Sequence, residues 1–192
     1  MNRQCRLSEV TKNYLTEFYC ILDRMIKDMN KAELSNSISH NFIIQMIPHH
    51  RVAIDMSNNI LKYTTNIPLQ NIATGIITEQ TISIENMEKI ECFCSEFENT
   101  PQDLCLYNQR NAHIMNNMFN NMRTALSTNR INCNFMREMI PHHKGAIEMS
   151  ENALKYDICP DLVPILNSII TSQKRGIKEM SSLLNCLGCQ KN

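Results

Sequence analysis

Apolar residues recur every three or four positions over most of the chain, which is the spacing of one face of an α-helix. The alternation of apolar and polar residues that marks a β-strand is absent over any useful length. Four glycines and six prolines in 192 residues leave long uninterrupted segments for helices. The pattern therefore predicts an all-α protein.

The helical pattern contains a segment, residues 46–63, that occurs a second time 93 positions later at residues 139–156. The two sequences, MIPHHRVAIDMSNNILKY and MIPHHKGAIEMSENALKY, are identical at 13 of 18 positions. With about 100° of rotation per residue, both histidines lie in the apolar arc beside methionines, while Arg51, Asp55 and Lys62 lie on the far side. We therefore expect the histidines to face the protein interior.

Pro48 interrupts the first segment, because proline has no N–H and leaves the carbonyl of Ile44 without its helical partner. The helix either begins at Pro48 or continues through a kink at that point. The apolar pattern extends back to Phe42, which favours the kink.

The 93-residue offset extends beyond these segments; Gln80, for example, matches Gln173. We predict two tandem copies, residues 8–91 and 101–184, each folded into three helices. The predicted helices lie near residues 9–31, 39–64, 68–91, 103–126, 132–157 and 161–185.

Methionine is abundant, with 13 in the chain, and ten of these form five pairs related by the repeat. The pairs are Met25 and Met118, Met29 and Met122, Met46 and Met139, Met56 and Met149, and Met87 and Met180. Because methionine commonly fills gaps in cores, packing explains any single pair. The helical spacing would also allow all three helices of a copy to aim thioethers at one place.

The double-histidine segments combine imidazole and thioether donors, which together suit copper and above all Cu(I). Spacings of three, four and seven residues place several donors on one helical face. A buried imidazole needs a partner, and a metal ion, a carbonyl freed by proline or a neighbouring glutamine could each supply it. We favour the metal and predict a copper site at Met46, His49, His50, Met56, Met139, His142, His143 and Met149, with the other paired methionines as further ligands.

Nine cysteines are expected to be thiols or ligands rather than disulfides, in a reducing compartment. Cys92, Cys94, Cys186 and Cys189 lie near the ends of the third helices, and they could hold zinc or an iron–sulfur cluster if these ends meet. Solvent-exposed free thiols are the alternative.

Two matched positions exchange cysteine and histidine between the copies: Cys20 aligns with His113, and His40 aligns with Cys133. A metal site can treat these residues as equivalent, whereas a core usually does not. Coincidence explains the exchange equally well.

The charge balance, 19 basic and 19 acidic residues, does not favour binding to nucleic acid or to an anionic membrane. No apolar run approaches the roughly 20 residues of a membrane helix, and the N-terminus has no secretory signal. We expect a soluble, cytoplasmic protein and leave a homo-oligomer open. Phosphate-binding loops, hydrolytic triads and HExxH motifs are absent from the sequence.

The MIPHH…A-I-x-M motif and the downstream Gln-x-x-x-Ile-x-x-Met resemble the domain-of-unknown-function family numbered 305, over nearly the whole chain. The resemblance implies a ferritin-like helical bundle and, as for some members, copper binding or tolerance. It points to the same histidines and methionines of the two segments. Members often have acidic residues where this chain has Ser39, Asn132, Ser83 and Gly176. The missing carboxylates argue against an oxygen-rich or catalytic site and leave a soft-metal site intact.

The leading hypothesis is thus a non-enzymatic protein that binds or sequesters a soft metal ion. A structural or assembly protein with core histidines is one alternative. A ferritin-like di-iron oxidase is the other, but its sites need Glu-x-x-His motifs that this chain lacks.

Overall fold

The computed structural model describes residues 6–189, which fold into six α-helices without a strand in that range. The all-α prediction is confirmed. The helices are α1 (Glu9–Asn30), α2 (Ile38–Leu61), α3 (Ile67–Ser95), α4 (Pro101–Arg123), α5 (Ile131–Ala153) and α6 (Leu162–Cys186).

Four of the helices begin at a polar residue whose side chain accepts a hydrogen bond from the backbone N–H three positions later. These residues are Ser8, Ser37, Asn66 and Thr100. Such a cap satisfies one of the free N–H groups of the first turn and contributes about 0.5–2 kcal/mol. The helix boundaries are therefore set by local sequence as well as by packing.

The six helices pack as two sets of three that meet face to face. Within each copy the middle helix contacts both neighbours: α2 packs against α1 and α3, and α5 against α4 and α6. Between the copies, α1 packs on α4, α2 on α5 and α3 on α6. One hydrophobic cluster includes buried residues from all six helices, so the two copies share a core.

Helices α2 and α5 run through their internal prolines, Pro48 and Pro141. Neither helix begins at its proline, so the helical start considered for Pro48 is excluded. Since a proline cannot donate to the residue four positions earlier, the carbonyls of Ile44 and Arg137 lose their helical donor just before the paired histidines.

Two disulfides join residues that are distant in sequence. Cys94, at the end of α3, is bonded to Cys159 in the α5–α6 connection, and this bond links the two copies. Cys133, near the start of α5, is bonded to Cys189, which follows α6. The expectation that the cysteines are reduced thiols is wrong for these four.

The predicted zinc or iron–sulfur site at Cys92, Cys94, Cys186 and Cys189 is also wrong. Cys94 and Cys189 belong to different disulfides, and Cys92 and Cys186 are exposed free thiols. Residues two positions apart on a helix are rotated by about 200° from each other, so the side chains of Cys92 and Cys94 face opposite sides of α3. As the side chains of residues 6–189 are placed, no three His, Cys, Asp or Glu side chains could hold a metal ion together, so a site at any of them requires a rearrangement.

None of the helices in the described part of the chain has the length and apolar character needed to span a bilayer. The cytoplasmic location stays a prediction.

Candidate metal centre

Four histidines lie together where α2 packs on α5, and we call His49, His50, His142 and His143 the histidine quartet. Each is at most 1% exposed. The rings of His49 and His142 stack, with centroids 3.7 Å apart and an interplanar angle of 27°. The ring of His50 lies 5.8 Å from that of His49, and the ring of His143 lies 6.0 Å from that of His142. The copies thus contribute equally to one buried row of imidazoles.

Hydrogen bonds engage the Nε2 side of three rings. His142 Nε2 donates to the backbone carbonyl of His49 at 3.2 Å, and His49 Nε2 lies 3.3 Å from the sulfur of Met118. His50 Nε2 lies 3.0 Å from the Ser83 hydroxyl. Carbonyl and thioether groups only accept, so His142 and His49 carry their proton on Nε2 when neutral.

The Nδ1 atoms of all four rings are buried and have no hydrogen-bond partner within residues 6–189. An unsatisfied buried polar group costs about 1–3 kcal/mol. In His49 and His142 the proton on Nε2 leaves Nδ1 with a free lone pair, and a nitrogen atom in this state can coordinate a metal ion. The quartet therefore holds unused donor atoms in the protein interior.

Burial lowers the pKa of every member of the quartet. The pKa falls to about 3 for His50 and to about 4 for His142. In His142 the hydrogen bond to the His49 carbonyl raises the pKa and so partly opposes the lowering by burial. For His49 and His143, burial and the neighbouring imidazoles hold the pKa well below 6.5. All four rings are thus neutral near pH 7, which is the form that binds metals.

The predicted methionine ligands all lie in the core: Met25, Met29, Met46, Met56, Met87, Met118, Met122, Met139, Met149 and Met180 are at most 3% exposed. Met118, from α4, is the one for which the structure gives a direct contact with the quartet. This thioether belongs to the second copy, but the imidazole that it meets, His49, belongs to the first.

Gly145 makes room for Met118. A Cβ atom at position 145 would lie 2.2 Å from the sulfur of Met118 and 2.8 Å from its Cγ. The first copy has Val52 at the matched position. Sequence reasoning missed Gly145, although a glycine inside a buried helical segment is the signal that could have revealed it.

We expect Gly145→Ala to destabilise the protein by about 1–3 kcal/mol, because the added methyl overpacks the core and pushes Met118 away from His49. Gly75→Ala is the matched control, since a Cβ there meets no atom within 4 Å. That change should instead stabilise helix α3 by about 0.5–1 kcal/mol. Denaturant unfolding of both variants measures the effect, and equal stability changes would contradict the role of Gly145.

The cysteine and histidine positions that exchange between the copies do not join the quartet. Cys20 and His113 are exposed, and His113 bonds Asn117. His40 bonds the Ser35 hydroxyl, and its counterpart Cys133 is in a disulfide. The exchange therefore does not mark a shared metal site.

Sequence reasoning also missed a buried acid in α5, the helix that carries His142 and His143. Glu138 directly precedes Met139 in α5 and accepts a hydrogen bond from the Tyr14 hydroxyl at 2.5 Å. Burial raises the pKa of Glu138 to about 8, although that hydrogen bond lowers it. The first copy has Gln45 at the matched position. Both copies therefore place an uncharged polar group here at neutral pH.

The sequence signature of DUF305, a domain of unknown function, matches residues 22–91 and 39–184. The chain belongs to the DUF305 family. This confirms the resemblance inferred from the double-histidine motif, while the ferritin-like description stays a prediction. No curated protein sequence matches the chain significantly.

Solved structures share the fold. The Cu(II)-bound form of CopM is 27% identical, with a TM-score of 0.58 over 78% of this chain and 97% of that chain. The Cu(I)-bound form of CopM is 25% identical, with a TM-score of 0.57 over 78% of this chain and 96% of that chain. A DUF305 fragment from Deinococcus radiodurans is 21% identical, with a TM-score of 0.58 over 77% and 95%, and it supports the fold alone.

Proposed function

We propose that this protein binds copper as Cu(I) at the histidine quartet and sequesters it, without catalysing a reaction. The observation that carries the proposal is the set of four buried imidazoles whose Nδ1 atoms lack partners. A protein interior seldom leaves so many polar atoms unsatisfied. A metal ion bound between the copies would satisfy several of them at once.

The donor set favours a soft ion. Imidazole nitrogen and thioether sulfur suit Cu(I), whereas hard cations require oxygen donors. His49 adjoins both His142 and Met118, but Met118 meets the Nε2 side of the ring, so the His49 ring must turn before one ion can receive this sulfur together with the free Nδ1 atom. The structural similarity to CopM, which has Cu(I)-bound and Cu(II)-bound forms, supports copper as the metal.

Uptake of the ion requires a local rearrangement. The His49 and His142 rings stack at 3.7 Å, and this spacing leaves no room for an ion between them. The rings must therefore separate, and the hydrogen bond from His142 to the His49 carbonyl must lengthen or break. We expect binding to be slower than diffusion and to stabilise the native state.

Purified protein should take up Cu(I) in near-stoichiometric amounts. Replacing His49, His50, His142 and His143 by Ala should remove this uptake while the helical circular dichroism remains. The matched control is His40→Ala with His113→Ala, which removes the two histidines outside the quartet. Competition with a coloured Cu(I) chelator measures binding. Undiminished uptake by the quadruple variant would refute the proposed site.

A purely structural role for the quartet is the second candidate. The stacking of His49 on His142 and the bond to the His49 carbonyl favour it, because they satisfy part of the buried imidazoles without an ion. In that case the metal-free protein should have the same Tm before and after Cu(I) is added, since a ligand that binds only the native state must raise it.

A further inference from the structure

The histidine quartet is sealed from solvent, with each member at most 1% exposed, so an ion needs a path to reach it. A cavity of about 490 Å³ between α3 and α6, which we call the outer cavity, has His50 in its wall. Ile82, Ser168 and Thr171 also line it and are exposed, so the outer cavity opens to solvent. Three further cavities, of about 420, 570 and 750 Å³, have no quartet member among the described residues that line them.

The opposite end of the quartet is closed by the backbone of α6. A Cβ at Gly176 would lie 2.9 Å from both Nε2 and Cδ2 of His143, so this ring lies directly against the helix. The cavity that His143 lines has about 40 Å³, which is room for a few water molecules at most. Ser83, the residue matched to Gly176 in the first copy, instead lines the outer cavity. The opening toward the quartet is therefore in the first copy.

The ring of His50 turns one nitrogen toward the outer cavity. Its Nε2 lies 3.0 Å from the hydroxyl of Ser83, which lines that cavity. A serine side chain has other staggered rotamers, so it can release the nitrogen. Beyond His50, the ring of His49 lies 5.8 Å away, and His49 contacts both His142 and Met118. An ion in the outer cavity therefore meets His50 before the other members of the quartet.

The walls of the outer cavity supply oxygen atoms that are weak ligands for Cu(I). Gln80 and Gln173 are 2% and 3% exposed, and each has a buried Oε1 without a hydrogen-bond partner among the described residues. Asn86 and Ser172 line the same cavity. Oxygen donors suit hard cations, so these groups can replace part of the water around Cu(I) without retaining the ion. A passage needs such contacts, because an ion must bind well enough to enter and weakly enough to leave.

We propose that Cu(I) reaches the quartet through the outer cavity and that His50 is its first ligand, once the Ser83 hydroxyl releases Nε2. The proposal rests on the proposed function and adds the route and the order of contact. It assigns loading to the first copy, although both copies contribute equally to the quartet. The outer cavity is a passage and not a storage site.

The test is the rate of Cu(I) uptake, measured by anaerobic stopped-flow transfer from a coloured Cu(I) chelator. The parent protein has the five cysteines outside the two disulfides replaced by Ser, because thiolates would capture Cu(I). Ser168→Phe in α6 and Asn86→Phe in α3 each place an aromatic ring in the outer cavity. Each should slow uptake by at least about 10-fold. The amount of Cu(I) bound at equilibrium should be unchanged.

Ser181→Phe is the matched control for these two variants. Ser181 is also in α6, but it lines the cavity of about 750 Å³, whose wall does not include His50. This change should leave the uptake rate unaltered. Ser83→Ala should act in the opposite direction, because it removes the hydroxyl that engages His50 Nε2. Uptake should become faster by about 2-fold to 10-fold, which is the range expected for the loss of one hydrogen bond.

Hydrogen–deuterium exchange at the imidazole C2 position, followed by mass spectrometry, measures access to the rings without any metal. In the metal-free protein, both Phe variants should slow this exchange at His50 relative to the parent. Exchange at His142 should stay the same, because His142 lines neither the outer cavity nor the smaller one.

The outcomes separate this inference from the proposed function. A parent protein that binds no Cu(I) overturns both. A parent that binds Cu(I), with uptake rates that neither Phe variant changes, overturns the route alone, even where exchange at His50 is slower. Equal slowing by Ser181→Phe also overturns the route, and so does a loss of equilibrium binding in the folded Phe variants, because the cavity would then belong to the site. Uptake that Ser83→Ala does not accelerate overturns His50 as the first ligand.

Discussion

Removing either disulfide is expected to lower the free energy of unfolding by about 4 kcal/mol. The bonded cysteines are separated by 65 and 56 residues, and cross-links that close such long loops restrict the unfolded chain strongly. A loss of this size should lower the Tm by about 8–16 °C in a protein of this length. The variants are Cys94→Ala with Cys159→Ala, and Cys133→Ala with Cys189→Ala.

Thermal unfolding with and without a phosphine reductant gives the same comparison for the unmodified chain. The control replaces the exposed thiols Cys20, Cys92, Cys105 and Cys186 by Ser. The reductant should lower the Tm of this control by as much as it lowers the Tm of the parent protein. Equal Tm values for the reduced and oxidised parent would contradict a structural role for the two bonds.

Lowering the pH from 7 to 5 is expected to destabilise the protein through the histidine quartet. The fold keeps each ring neutral because it lowers the pKa of that ring. Between pH 7 and pH 5 the unfolded chain therefore binds protons that the folded chain does not. The free energy of unfolding decreases as the pH decreases. For His50 and His142, with native pKa values of about 3 and 4, the loss by pH 5 is about 2 kcal/mol each. His49 and His143, whose pKa values are also lowered, act in the same direction.

Glu138 opposes this effect. Its pKa is raised to about 8, so the folded chain holds a proton that the unfolded chain loses above about pH 4.5. The contribution of Glu138 to the free energy of unfolding therefore rises by about 2–3 kcal/mol as the pH falls from 7 to 5. Glu138→Gln should remove this contribution and make the acid decline of stability steeper.

Urea unfolding at several pH values measures both contributions. A stability that stays constant between pH 7 and pH 5 in the Glu138→Gln variant would show that the quartet is not held neutral by the fold.

Periodicity and repetition predicted the helices and the inward orientation of the histidines, because both depend on spacing along a single helix. The same spacing could not predict that His49 stacks on His142, since that contact depends on how α2 packs on α5. The contact between Met118 and His49 is likewise set by a helix of the other copy and by the space at Gly145.

The cysteine predictions failed for a related reason. The spacing of Cys92 and Cys94 suggested a shared ligand pair, but a helix turns the two side chains to opposite sides, and only Cys94 is buried. Its partner, Cys159, lies in a connection with no helical pattern of its own, so the pairing could be read only from the folded chain.

Each helix of the first copy packs on its own counterpart in the second, which is the arrangement of a homodimer with a two-fold axis. A chain with only one copy would present a self-complementary face, and the two sides of its dimer would be identical. When the two copies are joined in one polypeptide, their sequences can differ from each other. Val52 and Gly145 can then differ, so that Met118 has room beside His49 in a contact that a symmetric dimer could not confine to one side.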